Sequence, residues 1–229
     1  MVTSGLVTES TTAARLTATS PRVSQKLFDV VDIAATVVFS IEGAAAAALA
    51  GFDLLGVLVV GFAVGLGGGV IRDILLGDLP PAAFRSPSRM ISALVAALAT
   101  FLAILAIPEL STESLVYLDA VGLALFAVTG AQKASEHGCN LLVVTIMGAI
   151  TATGGGVIRD VLLNRDPYVL TASVYGTAAL AGAFATGLLM NRTSKPVLAM
   201  WIGFTVTFAL RVLAIHFGWE LPHIAPAIS

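Results

Sequence analysis

Two seven-residue segments hold the residues of this sequence best suited to chemistry: Gly67-Gly68-Gly69-Val70-Ile71-Arg72-Asp73 and Gly154-Gly155-Gly156-Val157-Ile158-Arg159-Asp160. A glycine costs about 1 kcal/mol relative to alanine inside a helix, so three in a row favour a break. A break inside a membrane frees carbonyls and amides that lipid cannot satisfy, so it must face protein or a water-filled cavity. Half-helix ends present carbonyls to a cation and amides to an anion, which suits passage or binding of an ion or a small zwitterion. The competing reading is close helix packing through small residues, as in Gly61-xxx-Gly65-xxx-Gly69. A dinucleotide loop is excluded, because Val70 stands where G-x-G-x-x-G needs its third glycine.

The ionisable pairs Arg72-Asp73 and Arg159-Asp160 lie in apolar surroundings, where an isolated charge costs at least about 2.5 kcal/mol and needs a partner or water. Adjacent residues point about 100° apart on a helix, so partners are expected elsewhere: Arg72 with Asp160 and Arg159 with Asp73, or pairs to Asp119 and Asp32. Glu42 lies deep in an apolar stretch and is expected to be protonated, hydrogen-bonded or facing an aqueous lumen. Lys133 is expected to snorkel to the headgroups, with a sensor role as the alternative, and Arg211 is expected at the interface. The hydroxyls of Ser40, Thr129, Thr151 and Thr153 are candidates to line a path for ions. His137, His216 and His223 lack metal-ligand spacing, Cys139 is read as a packing residue, and no catalytic triad, phosphate loop or metal signature is visible. The sequence therefore supports no catalysis and no cofactor.

Membrane spans must position these residues. Of 229 residues, 57% are hydrophobic and only 11% charged, with mean hydropathy +0.96. A soluble domain carries about a quarter charged residues, so an all-α polytopic membrane protein is expected. The net charge of −2 gives no basic surface for nucleic acid. Seven stretches meet the requirement of about 20 apolar residues, near 28–50, 54–77, 88–107, 116–136, 139–163, 169–190 and 197–218. Residues 1–26 are rich in serine and threonine, contain no signal-peptide core, and are expected to form a disordered or loosely held tail.

An ungapped offset of 87 residues superposes the two glycine segments and also Asp32 on Asp119, Phe39 on Phe126, Gly43 on Gly130, Gly51 on Gly138, Gly61 on Gly148 and Pro80 on Pro167. Glu42 falls on Thr129, and Lys133 on Ala46. The chain thus divides into a first three-helix repeat (27–110), a second (111–192), and a seventh helix with a short tail (193–229). Three spans are an odd number, so the second repeat is inverted. The Lys and Arg of the short loops, Arg85, Arg89, Lys133, Arg192 and Lys195 among them, concentrate on the side of the N-terminus, with Arg165 opposite, so the N-terminus is expected in the cytoplasm and the C-terminus outside.

Two inverted three-span units, each with G-G-G-V-I-R-D on its second span, plus a seventh span resemble the trimeric intracellular cation channel family. They also resemble bacterial seven-span proteins with a duplicated glycine-transporter domain, a group that overlaps the first in sequence. The resemblance covers about residues 28–218. It implies a homotrimer in the lipid of a prokaryotic cell membrane, with an hourglass pore in each protomer that passes potassium and sodium and with the second and fifth spans kinked at the glycines. Gly67, Gly68, Gly69, Arg72, Asp73, Gly154, Gly155, Gly156, Arg159 and Asp160 would then lie at or beside the pore. The basic, lipid-responsive motif and long basic tail of the animal members are missing here. A carrier for a small zwitterion such as glycine and a trimeric scaffold remain the alternatives.

Overall fold

The computed structural model describes residues 21–107, 113–171, 174–193 and 195–219. These form nine helices: α1 (Pro21–Leu49), α2 (Leu54–Leu75), α3 (Ala82–Arg85), α4 (Pro87–Ala106), α5 (Glu113–Glu136), α6 (Leu141–Leu162), α7 (Tyr168–Thr171), α8 (Gly176–Arg192) and α9 (Pro196–Phe217). The described residues contain no strand. Six of the helices are long and apolar enough to cross a membrane, and α8, at 17 residues, is the shorter seventh. Helix α1 starts at Pro21, inside the stretch expected to be loose; the rest of that expected tail, residues 1–20, lies outside the described residues, as do residues 220–229.

The duplication is visible down to local chemistry. Helices α2 and α6 have equal length and begin 87 residues apart. Asp53 Oδ1 accepts from the Gly56 amide at 2.8 Å, and Asn140 Oδ1 from the Val143 amide at 3.0 Å, each supplying an amide at the helix start with the acceptor it lacks. Gly51 and Gly138 take positive φ (83° and 73°) at the turns before them, a conformation glycine adopts without steric cost. After α2, Asp73 Oδ2 accepts from the Ala82 amide at the start of α3. After α6, Asp160 Oδ2 accepts from the Tyr168 amide at the start of α7. The aspartate of each motif therefore ties down the next short helix. This anchoring divides the span expected over 169–190 into α7 and α8.

Helix α1 packs on α2, α4 and α5, while α6 packs on α2, α5 and α8, and α9 closes the bundle against α5 and α8. Phe39 and Phe126, equivalent in the two repeats, stack at 5.3 Å in the middle of the core with Val64 and Leu123. Leu94, Val95, Leu98, Leu102 and Leu105 of α4 and Leu55 and Val59 of α2 point outward, as a lipid-facing surface requires.

The glycine triplets do not break their helices, contrary to expectation: α2 and α6 run through them without interruption. Their role is close approach. A Cβ on Gly68 would collide with the Thr151 carbonyl oxygen, one on Gly155 would lie 2.6 Å from the Val64 carbonyl oxygen, and one on Gly67 would strike Ile158. Gly154 sits with its Cβ position 3.2 Å from Gly68 Cα. The small residues let two backbones touch, and that contact compensates for poor helix propensity. Gly61 and Gly65 do the same against α4 and α1, where added Cβ atoms would lie 2.8 Å from Ala97 and from the Thr36 carbonyl oxygen.

Candidate functional site

Two charge clusters occupy opposite ends of the bundle. The first gathers near the start of α1. Arg72, with its side chain only 1% exposed, donates from Nη1 to Asp32 Oδ1 and from Nε to Asp73 Oδ1, both at 2.8 Å. Arg89, in the first turn of α4, donates to Asp32 Oδ2 at 3.0 Å and Asp29 Oδ1 at 2.8 Å. Lys133, from the last turn of α5, reaches Asp73 Oδ1 and Asp78 Oδ2, each at 2.6 Å, and Arg85 completes the set with Asp78 Oδ1 at 2.6 Å. Four carboxylates (Asp29, Asp32, Asp73, Asp78) meet four cations (Arg72, Arg85, Arg89, Lys133). The hydrogen bond from Lys133 and the nearby Arg85 hold the Asp78 carboxyl below the usual carboxylate range. A cavity of about 380 Å³ opens beside this cluster, lined by Asp29, Asp78, Arg85, Arg89 and Lys133 among others.

The second cluster lies toward the end of α1. Arg159 donates from Nε to Asp160 Oδ1 at 2.7 Å, its Nη1 contacts Glu42 Oε1, and Asp119 Oδ1 stands 3.9 Å from the same nitrogen. Asp119 Oδ1 accepts from the Tyr175 hydroxyl at 2.9 Å. Arg211 donates to the Tyr168 hydroxyl at 2.9 Å and lies 5.2 Å from the ring centres of both Tyr168 and Tyr175. A cavity of about 440 Å³ is lined by Glu42, Ala46, Asp119, Arg159, Asp160 and Arg211 among others. From Asp32 to Glu42 is ten residues of α1, or roughly 15 Å along the axis. Phe39, Phe126, Val64 and Thr151, each at most 1% exposed, fill the space between.

Several expectations about partners need correction. Neither Arg72–Asp160 nor Arg159–Asp73 forms, and Arg72 does not reach Asp119 nor Arg159 reach Asp32: Arg72 binds Asp32 and Asp73, while Arg159 binds Asp160 and Glu42 and neighbours Asp119. The reason is geometric. α2 and α6 touch at Gly68 and Gly155, and each Arg-Asp pair lies about four residues, or 6 Å, beyond that crossing, at opposite ends of the bundle. Adjacent Arg and Asp do pair, because a guanidinium on a long arm spans an angle that separates the two Cβ atoms. Lys133 is 7% exposed and ion-paired, so it does not snorkel to headgroups, and Arg211, 3% exposed, lies inside between two tyrosines rather than at the interface. Glu42 has an ion-pair partner and lines a cavity.

The four candidate hydroxyls bond to main-chain carbonyls: Ser40 to Ala93, Thr129 to Phe126, Thr151 to Met147 and Thr153 to Ala149. Sequence reasoning missed Asp29, Asp78, Arg85, Arg89, Tyr168 and Tyr175. The spacing of Asp29 and Asp32 on one helix face was a usable signal. In the sequence Arg85 and Arg89 read only as loop charges, and nothing local marks the tyrosines.

Fold and site together define an α-helical, inverted-repeat integral membrane protein with buried charge clusters at both ends of its bundle. The sequence model of the Glycine transporter family matches the chain twice, over residues 29–105 and 116–191. The UPF0126 inner membrane protein YadS of Escherichia coli (strain K12) is 36% identical over 195 residues, which are 85% of this chain and 94% of that protein. The UPF0126 membrane protein YvgT of Bacillus subtilis is 32% identical over 200 residues, 86% of this chain and 96% of its own. Among solved structures, a TRIC cation channel studied for its conductance superposes with TM-score 0.81 at 40% identity, covering 89% of this chain and all of the other. The TRIC trimeric intracellular cation channel orthologue from Rhodobacter sphaeroides gives 0.80 at 36% identity, over 85% and 100%. The chain belongs to the Glycine transporter family and is of the prokaryotic TRIC type.

Proposed function

We propose that the protein is a monovalent cation channel, passing potassium and sodium through one pathway in each protomer of a homotrimer. The observation that carries this reading is the pair of charged cavities at opposite ends of the bundle, separated by a short dry core around Phe39 and Phe126. The solved proteins of similar fold are cation channels. The pathway runs from the Arg72-Asp73 cluster past the seam where Gly68 meets Gly154 and Gly155, with Gly67, Gly69 and Gly156 beside it, to the Arg159-Asp160 cluster. With the Phe39–Phe126 stack closed the path is shut. Conduction requires α2 and α6 to separate along the seam, where the glycines offer only backbone to the facing helix and the side chains that pack across it are Ile71 against Gly154 and Ile158 against Gly67. Ions then pass weakly held between carbonyls and hydroxyls, Thr151 and Thr153 among them.

The start of α1 faces the cytoplasm in this reading, since Lys26, Arg85, Arg89, Lys133 and Arg192 gather at that end. The test is a planar bilayer recording on purified protein. Unitary currents in KCl support the channel. The family's description as glycine transporters favours a second reading, a glycine carrier. Electrically silent vesicles that accumulate glycine would replace the channel with that carrier.

A further inference from the structure

The second cavity holds more carboxylates than cations. Glu42, Asp119 and Asp160 are 5%, 5% and 4% exposed, and the guanidiniums that face them are Arg159 and Arg211. Three minus two leaves one negative charge, and the exposed rim residues Arg165 and Asp166 cancel each other. Of the remaining groups on packed elements, the Tyr175 hydroxyl donates to Asp119, the Tyr168 hydroxyl accepts from Arg211, and Asp53 at the start of α2 is exposed and occupied by the Gly56 amide. The charged groups Arg72 and Asp73 of α2, Arg89 of α4 and Lys133 of α5 belong to the opposite cluster.

Hydrogen bonding locates the surplus. Both oxygens of Asp160 are filled, by Arg159 Nε and the Tyr168 amide, each at 2.7 Å. Glu42 Oε2 and Asp119 Oδ2 are buried acceptors with no hydrogen-bond partner, the one unpartnered donor beside them among the described residues is Arg211 Nε, and all three residues line the cavity. Among the described residues no three acidic, histidine or cysteine groups converge as ligands for a metal ion. An uncompensated carboxylate in such a place must acquire a proton or a counter-ion.

We propose that Glu42 and Asp119 form a site for one exchangeable monocation, occupied by either a proton or an alkali cation, so that protons on the face where α1 ends compete with the permeating ion. With the proton bound, two carboxylates balance two guanidiniums and Glu42 still holds Arg159. Loss of the proton leaves the cavity at net −1 and open to potassium. No covalent step is involved, and the bound proton exchanges with cavity water. The consequence for current rests on the channel reading; occupancy of the site does not.

The experiment is infrared difference spectroscopy on the full chain in lipid nanodiscs, comparing KCl with the chloride of a bulky organic cation at fixed pH. Potassium should remove a protonated-carboxyl C=O band, and raising the pH in the organic salt should remove the same band. Glu42→Gln and Asp119→Asn each bring the carboxylates down to two, so the band should vanish in both. Tyr175→Phe changes no charge and should keep it. A wild-type spectrum with no such band, or a band that survives both neutral variants, overturns the proposal even if the variants fold poorly, because the wild-type measurement stands alone. In bilayers, potassium current should fall as pH drops on the α1-end face only, by up to about tenfold per pH unit, the limit for one-for-one competition. A responsive band without any current would sink the channel reading and leave this site. Current without a responsive band would sink this site alone.

Discussion

The two ends of the bundle start from the same seven residues and reach different electrostatic states. At the α1-start end, four carboxylates meet four cations and Arg72 is sealed at 1% exposure. At the other end three buried carboxylates meet two guanidiniums, and the Arg159 side chain is 11% exposed on a cavity. The motif does not cause the difference; its neighbours do. Lys133 on α5 completes the first cluster, and its equivalent on α1 is Ala46, which lines the second cavity. Arg89, in the first turn of α4, has no cationic counterpart in the first turn of α8, which reads Gly176-Thr177-Ala178-Ala179. In their place the second cluster has Glu42, where the other repeat has Thr129, and Arg211 from α9, which belongs to neither repeat. A duplicated motif thus fixes where charge sits, while residues outside it set the balance.

The largest effect should come from breaking the sealed cluster. Arg72→Ala leaves Asp32 and Asp73 with unmatched charge in a dry site, and stripping one partner from such a pair costs about 3–5 kcal/mol. Arg159→Ala should cost less, because the cavity admits protons and water to the carboxylates it leaves. Thermal unfolding of both variants in the same detergent measures this, and equal losses would mean that the two ends are electrostatically alike after all.

The seam between the repeats is the region where the two halves should behave the same. Gly68→Ala and Gly155→Ala push a methyl group into a carbonyl oxygen of the facing helix, a clash that backbone cannot easily relieve, so each should lose roughly 1–3 kcal/mol. Gly69→Ala meets only the Arg72 guanidinium at 3.6 Å and should be neutral or stabilising by up to about 1 kcal/mol through helix propensity. Unfolding midpoints that rank Gly69→Ala below Gly68→Ala would refute this packing account of the triplets.

Much of this was legible in the sequence. Apolar runs gave the spans, and the 87-residue offset gave the repeats, the turn glycines and the equivalence of Asp32 with Asp119. The glycine triplets were misread because propensity is local, whereas the contact of Gly68 with Thr151 that outweighs it lies 83 residues away in the chain. The ion pairs were misassigned for a related reason: symmetry makes the two motifs equivalent without making them neighbours. Glu42 stood out as an oddity, yet its contact with Arg159 joins α1 to α6, and Tyr175 reaches Asp119 across 56 positions. No periodicity encodes such pairings.

Moving a charge sharpens the comparison further. Ala46→Lys places in the second cavity the cation that Lys133 supplies to the first, and it removes the negative surplus there. Fold stability should change by less than about 1 kcal/mol, since the new ammonium meets unpaired carboxylate oxygens. Potassium conductance should drop severalfold, because a cation-attracting vestibule has been neutralised. A bilayer recording with undiminished conductance would mean that the surplus charge plays no part in attracting ions.

The smallest effect belongs to the rim of the first cluster, where Asp78 is held by Lys133 and Arg85. Its side chain is 21% exposed, so the pairing is screened and should be worth no more than about 1 kcal/mol. The sign of its pH dependence follows from the cause. Lys133 and Arg85 favour the ionised carboxylate and hold its folded-state pKa below the ordinary value, near 4 in an unfolded chain. Its contribution is therefore fully present above that ordinary range and is lost as the pH falls through the lower folded-state value. Asp78→Asn should unfold slightly more easily than the parent at pH 7, and the gap should close in acid. The equivalent position in the second repeat is Arg165, an exposed residue of the opposite charge. Arg165→Asn should therefore show no gap that closes in acid. If both variants tracked the parent at every pH, Asp78 would be a solvated rim residue and the balanced cluster would shrink to its buried members.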